Sequence, residues 1–96
     1  MALRVTPMRY GSRIFGNAFV FEAGDVLPWH THEFADQHIT IVAKGIFTME
    51  VRDEPPCTIM AGDLIDTPPG VWHQFTALAN DSRLYNICKE DLAPGA

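Results

Sequence analysis

The chain has 96 residues, of which 47% are hydrophobic and 20% charged, a composition typical of one compact domain. Seven Lys and Arg against twelve Asp and Glu give a net charge of −5, which argues against nucleic acid and anionic membranes as partners. The sequence has no apolar run near the roughly 18 residues of a membrane span, and nothing at its start resembles a signal peptide. We therefore expect a single domain over residues 1–96, located in the cytoplasm, with Cys57 and Cys88 reduced.

In chain order, the sequence shows short strand-like segments and no helical pattern. Apolar residues at helical spacing do not persist over three turns, because Gly or Pro interrupts nearly every window of that length. Turn-forming residues separate the segments about every eight to twelve residues, which predicts an all-β sandwich or small barrel. The predicted strands are Ile14–Glu22, Val26–His32, His38–Ala43, Ile46–Arg52, Cys57–Met60, Leu64–Thr67, Val71–Leu78 and Arg83–Lys89.

The four histidines all lie near predicted strands. His30 and His32 are two residues apart, so on an extended strand both imidazoles point to one face, with roughly 6.5–7 Å between their Cα atoms. Two nitrogens converging from one strand form half of a metal site, which ligands from neighbouring strands, such as His38 and His73, would complete. An isolated H-x-H pair is also typical of surface positions, so its meaning depends on the surrounding pattern.

The spacing around these histidines resembles the two signature motifs of the cupin superfamily, G-x5-H-x-H-x3/4-E-x6-G and G-x5-P-x-G-x2-H-x3-N. The resemblance covers residues 24–45 and 62–77, with sixteen residues between the two blocks. It implies a small antiparallel jelly-roll β-barrel with a metal ion inside, near one mouth. The residues that match are Gly24, His30, His32, Gly45, Gly62, Pro68, Gly70 and His73.

One ligand position departs from the family pattern, which has an acidic residue there. The six-residue spacing before Gly45 places His38 at this position, whereas the spacing after His32 places Asp36 or Gln37 there, as if one residue were inserted before the strand. We favour His38, because the predicted strand that starts there runs without interruption into the Gly45 turn and fixes the register from that side. Asp36 and Gln37 stay as alternatives, since carboxylate and amide oxygens also ligate metals.

A site made of His30, His32, His38 and His73 is neutral, so an ion held there keeps its full +2 charge as a Lewis acid. Imidazole ligands suit iron, zinc, nickel and copper better than magnesium or calcium. We therefore expect one divalent transition metal and favour iron. This choice predicts a dioxygenase-type oxidoreductase that acts on a small organic substrate. The alternatives are a metal-dependent isomerase, lyase or cyclase, and a non-catalytic small-molecule binder or sensor.

Residues at alternate positions along the same strands as the ligands should face the metal with them. They are predicted to line a mostly apolar pocket with one hydroxyl, suited to a small molecule that chelates the metal through oxygens. Glu33, in the loop after His32, is the candidate general base. The predicted pocket residues are Val26, Pro28, Thr40, Val42, Val71 and Phe75.

Two further expectations concern the outside of the barrel. Trp29 and Trp72 each precede a predicted ligand histidine, so strand alternation turns both indoles away from the metal, towards packing between the sheets or a subunit contact. A role in stacking against a substrate is the alternative. A minimal barrel has exposed strand edges, so we expect a homodimer. Exchange of an N-terminal strand within Leu3–Phe15, as in similar cupins, would form it. The tail Asp91–Ala96 is expected to fray.

Overall fold

The computed structural model describes residues 3–10, 14–31 and 35–90. Every element of regular secondary structure in these ranges is a β-strand, which confirms the all-β prediction. The described ranges contain no helix long and apolar enough to cross a membrane. The strands are β1 (Arg4–Tyr10), β2 (Ile14–Phe21), β3 (Val26–His30), β4 (Ala35–Lys44), β5 (Ile46–Val51), β6 (Cys57–Met60), β7 (Leu64–Asp66), β8 (His73–Ala77) and β9 (Ser82–Glu90).

The strands form two antiparallel sheets, as expected for a jelly roll. The five-stranded sheet has the order β1-β2-β9-β4-β7, and the four-stranded sheet has the order β3-β8-β5-β6. Each of the eight predicted segments overlaps one observed strand, and β1 is an additional strand. It pairs with β2 of the same chain, from Arg4 opposite Val20 to Tyr10 opposite Ile14, and so forms an edge of the five-stranded sheet. The tail 91–96 lies outside the described residues.

The hydrophobic core lies between the two sheets. Phe21 of β2 and Phe47 of β5 are both fully buried, and their rings meet edge to face with 4.9 Å between centroids. Burial of an aromatic side chain contributes roughly 2–3 kcal/mol, so contacts of this kind hold the sheets together. The buried core residues are Phe19, Phe21, Val42, Phe47, Ile59, Phe75, Ala77 and Leu84.

The turn at Gly45 joins β4 to β5 and sets the position of β4. Gly45 has φ = 87°, a left-handed conformation that favours glycine. A Cβ atom at this position would also overlap the side chain of Ser82, whose hydroxyl donates a 2.7 Å hydrogen bond to the carbonyl of Ala79. Two independent constraints therefore require glycine where the sequence motif has it.

Candidate metal centre

His30 and His73 face each other across the seam between β3 and β8. They are direct cross-strand partners, which places both side chains on one face of the four-stranded sheet. Their ring centroids are 4.2 Å apart at an interplanar angle of 61°. His73 is fully buried and His30 is half-buried, so the pair lies on the inner face of the sheet.

His38 reaches the same space from the opposite sheet. It lies on β4, is 2% exposed, and its ring centroid is 6.1 Å from that of His73. The predicted insertion before this strand corresponds to a register shift between Ala35 and Gln37, where β4 has one more residue than β9. This bulge absorbs the extra residue, and from Gln37 to Val42 the pairing with β9 is continuous.

The structure therefore brings together three of the four predicted histidine ligands, His30, His38 and His73. His32 and the candidate base Glu33 lie outside the described residues. Of the alternatives Asp36 and Gln37, the structure describes the backbone within β4 but not the side chains. The roles of these four residues stay predictions.

Backbone carbonyls orient the two imidazoles of the four-stranded sheet. His30 Nδ1 lies 2.6 Å from the carbonyl oxygen of Pro28, and His73 Nδ1 lies 2.9 Å from that of Val71. A carbonyl can only accept, so Nδ1 carries the proton and donates, and the lone pair of each neutral ring is on Nε2. Metal-binding histidines commonly have this arrangement, in which a hydrogen bond at one nitrogen fixes the ring and the tautomer.

Burial favours the neutral form of His38 and of His73. The pKa of His38 is lowered to about 4, mainly by loss of solvation and further by nearby His73 and His30, while Asp66 acts in the opposite direction. Burial also lowers the pKa of His73, opposed by its hydrogen bond to the Val71 carbonyl. Both rings are thus uncharged at neutral pH, and a metal ion can bind them without first displacing a proton.

The donor chemistry fits a transition metal that prefers imidazole. Rings bound to one ion at about 2.1 Å would have centroids roughly 4.5–5.5 Å apart, and the observed separations of 4.2 and 6.1 Å lie on either side of that range. Within the described ranges, no three His, Cys, Asp or Glu side chains are grouped closely enough to hold a metal ion. The three described histidines are therefore compatible ligands but do not by themselves form a complete site.

Four of the predicted pocket residues lie in the interior or at its margin. Thr40, Val42 and Phe75 are buried, and Val71 is half-buried. The Phe75 ring lies 5.6 Å from the His73 ring, between centroids, and forms an apolar wall beside it.

The buried side chain of Asn86 is a functional candidate that the sequence reasoning missed. The Thr40 hydroxyl donates a 2.9 Å hydrogen bond to Asn86 Oδ1, so the predicted single hydroxyl belongs to a buried polar pair. Asn86 lies on the inward side of β9 together with Leu84 and Cys88. The sequence did carry a signal for Asn86: it is a polar residue that alternates along the strand with the apolar residues Leu84 and Cys88.

Val26 and Pro28 are exposed, because β3 contains a bulge. Leu27 pairs with Phe75 and His30 pairs with His73, so β3 has one residue more than β8 between these two pairs. Simple alternation counted back from His30 would turn Pro28 and Val26 inward. The extra residue exchanges the inward and outward positions in the first part of β3. Leu27 therefore packs against the core, and Val26 is 41% exposed.

Cys88 is the direct cross-strand partner of His38 and is buried beside it. Burial raises the pKa of its thiol, so the sulfur stays protonated at neutral pH. Cys57 is exposed, and both cysteines are free thiols. Cys88 therefore acts here as a small neutral packing residue next to the histidines.

The comparisons with known proteins agree with this architecture. Residues 17–88 match the family model described as "Cupin domain". No curated protein matches the chain. The solved structure of KdgF from a Halomonas species is similar, with a TM-score of 0.82 and 22% identity over 93% of this chain and 81% of that one.

Two further structures show the same fold at similar distance. A cupin superfamily protein from Desulfitobacterium hafniense has a TM-score of 0.79 and 12% identity, covering 93% of this chain and 78% of that chain. An RmlC-like cupin from Methanocaldococcus jannaschii, described as a double-stranded β-helix, has a TM-score of 0.77 and 19% identity, covering 92% of this chain and 79% of that chain. With the family model matching most of its length, this chain belongs to the cupin family.

Proposed function

We propose that this cupin binds one divalent transition metal ion, preferentially iron, and uses molecular oxygen to oxidise a small organic substrate. The observation that supports the proposal most directly is the convergence of His30 and His73 from one sheet with His38 from the other. His32, the neighbour of His30 in the H-x-H motif, would be the fourth ligand. A bound iron ion would supply the redox chemistry that a dioxygenase requires.

The chain's own residues would prepare the site for that ion. The carbonyls of Pro28 and Val71 hold the two imidazoles with Nε2 directed away from the backbone. Burial of His38 excludes water and keeps its ring neutral, so the protein adds no charge that would weaken a Lewis acid.

The surrounding walls favour a small, weakly charged substrate. Phe75 provides an apolar surface beside His73, and the buried Thr40–Asn86 pair provides polar atoms that can orient substrate oxygens. None of the Lys and Arg side chains that the structure describes is buried. Among these described side chains, a highly anionic molecule would thus find no buried cation to compensate its desolvation inside the barrel.

Metal analysis of protein purified without chelator tests the metal site. We expect about one equivalent of metal in the wild-type protein and a small fraction of that in His38→Ala and His32→Ala. Asp36→Ala and Gln37→Ala serve as matched controls, because they carry the alternative ligands on the same strand and should retain the metal. Absence of metal from the wild-type protein, even after anaerobic reconstitution, would overturn the proposal.

Oxygen uptake by the metal-loaded protein tests the reaction. Diketones, thiols and catechols are suitable probes, because each can chelate a metal through neighbouring heteroatoms. Uptake that depends on both the substrate and His38 would support a dioxygenase. A filled metal site without uptake for any probe would reject the oxygenase and favour the isomerase, lyase, cyclase or binder alternatives. In the isomerase case Glu33→Gln becomes the informative variant, as Glu33 is the candidate base.

A further inference from the structure

A cleft of about 320 Å³ lies on the outside of the four-stranded sheet, lined by Trp29, Arg52 and Trp72. The three residues come from neighbouring strand ends: Trp29 from β3, Trp72 directly before β8, and Arg52 directly after β5. The backbone N–H of Arg52 donates a 2.9 Å hydrogen bond to the carbonyl of Trp72. The cleft is therefore built on hydrogen-bonded backbone.

This cleft is separate from the candidate metal centre. None of the described histidines His30, His38 and His73 lines the cleft. The two indoles are 43% and 40% exposed, and they do not pack between the sheets. Exposed tryptophans on a soluble domain are uncommon enough to indicate a contact surface, because each carries a large apolar area. The chain contains no other tryptophan.

Arg52 gives the cleft a positive charge that no carboxylate of the described ranges pairs. The ion pairs among the described residues join Asp81 to Lys44 and to Arg83, and none involves Arg52. Glu50 is two residues away on the same side of β5, but its carboxylate accepts a 2.8 Å hydrogen bond from the Gln74 amide. The exposed guanidinium therefore keeps its planar set of donors available in a protein with a net charge of −5.

We propose that this cleft binds a small aromatic carboxylate, with its ring against the indoles and its carboxylate on Arg52. Two indole faces offer stacking and edge contacts to a flat apolar body. A guanidinium pairs with a carboxylate through two parallel hydrogen bonds, which fixes the orientation of the ligand. The volume lies at the lower end of the roughly 300–1,000 Å³ found for small-molecule pockets, so the ligand has one or two rings.

Titration with 2-naphthoate tests the proposal directly. In a ¹⁵N-labelled sample the indole N–H groups of Trp29 and Trp72 give two resolved signals, which Trp29→Leu and Trp72→Leu assign. We expect 2-naphthoate to shift both signals, and calorimetry to show about a tenfold rise in Kd for Arg52→Gln, equivalent to about 1.4 kcal/mol. Arg4→Gln, an exposed arginine on the edge of the other sheet, should leave the Kd unchanged.

An uncharged probe of the same shape separates the two parts of the proposal. 2-Naphthylmethanol should bind the wild-type protein about tenfold more weakly than 2-naphthoate and should bind Arg52→Gln equally well. Equal affinity of 2-naphthoate for Arg52→Gln and wild type would refute the role of Arg52.

Two other outcomes would also overturn the proposal. Loss of 2-naphthoate binding in His38→Ala or after metal removal would place the ligand inside the barrel. Indole signals that shift with protein concentration and not with the ligand would show that a second copy of the chain covers the cleft. Ligand titration tests the cleft, whereas metal analysis and oxygen uptake test the metal centre. Failure of either proposal therefore leaves the other intact.

Discussion

His38 and His73 approach each other from different sheets, with 6.1 Å between their ring centroids and almost no exposure of either side chain. Neither ring can be protonated without placing a charge in the interior beside the other. The pair thus links the acid–base behaviour of the protein to the proposed metal site, and its burial affects how the metal-free fold responds to acid.

The metal-free protein should lose stability in mild acid because of His38. Its pKa is about 4 in the folded state and 6.5 ordinarily, so between these values the unfolded chain binds a proton that the folded chain does not. The free energy of unfolding therefore falls as the pH drops below 6.5, by about 3 kcal/mol in total when the pH reaches about 4. Urea unfolding at several pH values measures this loss. The lowered pKa of His73 acts in the same direction.

The variant His38→Gln isolates this contribution, because glutamine has no ionisable group. Its unfolding free energy should vary less between pH 7 and pH 4.5 than that of the wild-type protein. Identical pH profiles for the two proteins would contradict a buried, neutral His38.

The bound metal should be released over the same range of pH. Protonated imidazole cannot ligate, so in the presence of a chelator we expect retention at pH 7 and release between about pH 6 and pH 4. Dialysis followed by elemental analysis measures the metal that stays bound. Full retention at pH 4.5 with chelator would rule out a site made of histidines alone and would favour an oxygen ligand such as Asp36.

Gly45→Ala should destabilise the fold more than the same change at Gly62. Both glycines have left-handed φ, 87° and 99°, so each substitution carries a conformational cost of about 1 kcal/mol. Only at Gly45 does the new Cβ overlap another side chain, that of Ser82, whereas nothing lies within 4 Å at Gly62. We expect a loss of about 2–3 kcal/mol or more for Gly45→Ala, measured by denaturant unfolding. Adding Ser82→Gly should recover part of it, and equal losses at the two glycines would contradict the overlap.

We propose that the chain forms a homodimer through the outer face of the five-stranded sheet. Ile39 and Ile87 are direct cross-strand partners on that face and are 37% and 40% exposed, and the edge strand β1 lies in the same sheet. Ile87→Glu should convert the dimer to a monomer in light scattering after size-exclusion chromatography. Ile46→Glu is the matched control, since Ile46 is equally exposed but lies on the four-stranded sheet. A wild-type monomer would refute the proposal.

Local features of the sequence were enough to predict the fold and to select histidines, His38 and His73, that the structure buries. The turn glycines, such as Gly24 and Gly45, occur where the backbone has positive φ, a requirement of the chain that no distant residue changes. The H-x-H spacing and the position of His73 after a Pro-Gly turn follow from the same short-range geometry. The count back from Gly45 placed His38 at an inward position, and the structure buries that side chain.

Only the tertiary structure decided which residues surround the histidines. The bulge in β3 reverses the parity of Val26 and Pro28, and it is visible only when the register against β8 is known. The Thr40–Asn86 hydrogen bond joins residues 46 positions apart, which strand alternation cannot pair. The cleft between Trp29, Arg52 and Trp72 arises in the same way, from three strand ends that become neighbours when the sheet forms. Alternation within one strand is a local property of the backbone, whereas register between strands depends on the packing of the whole chain.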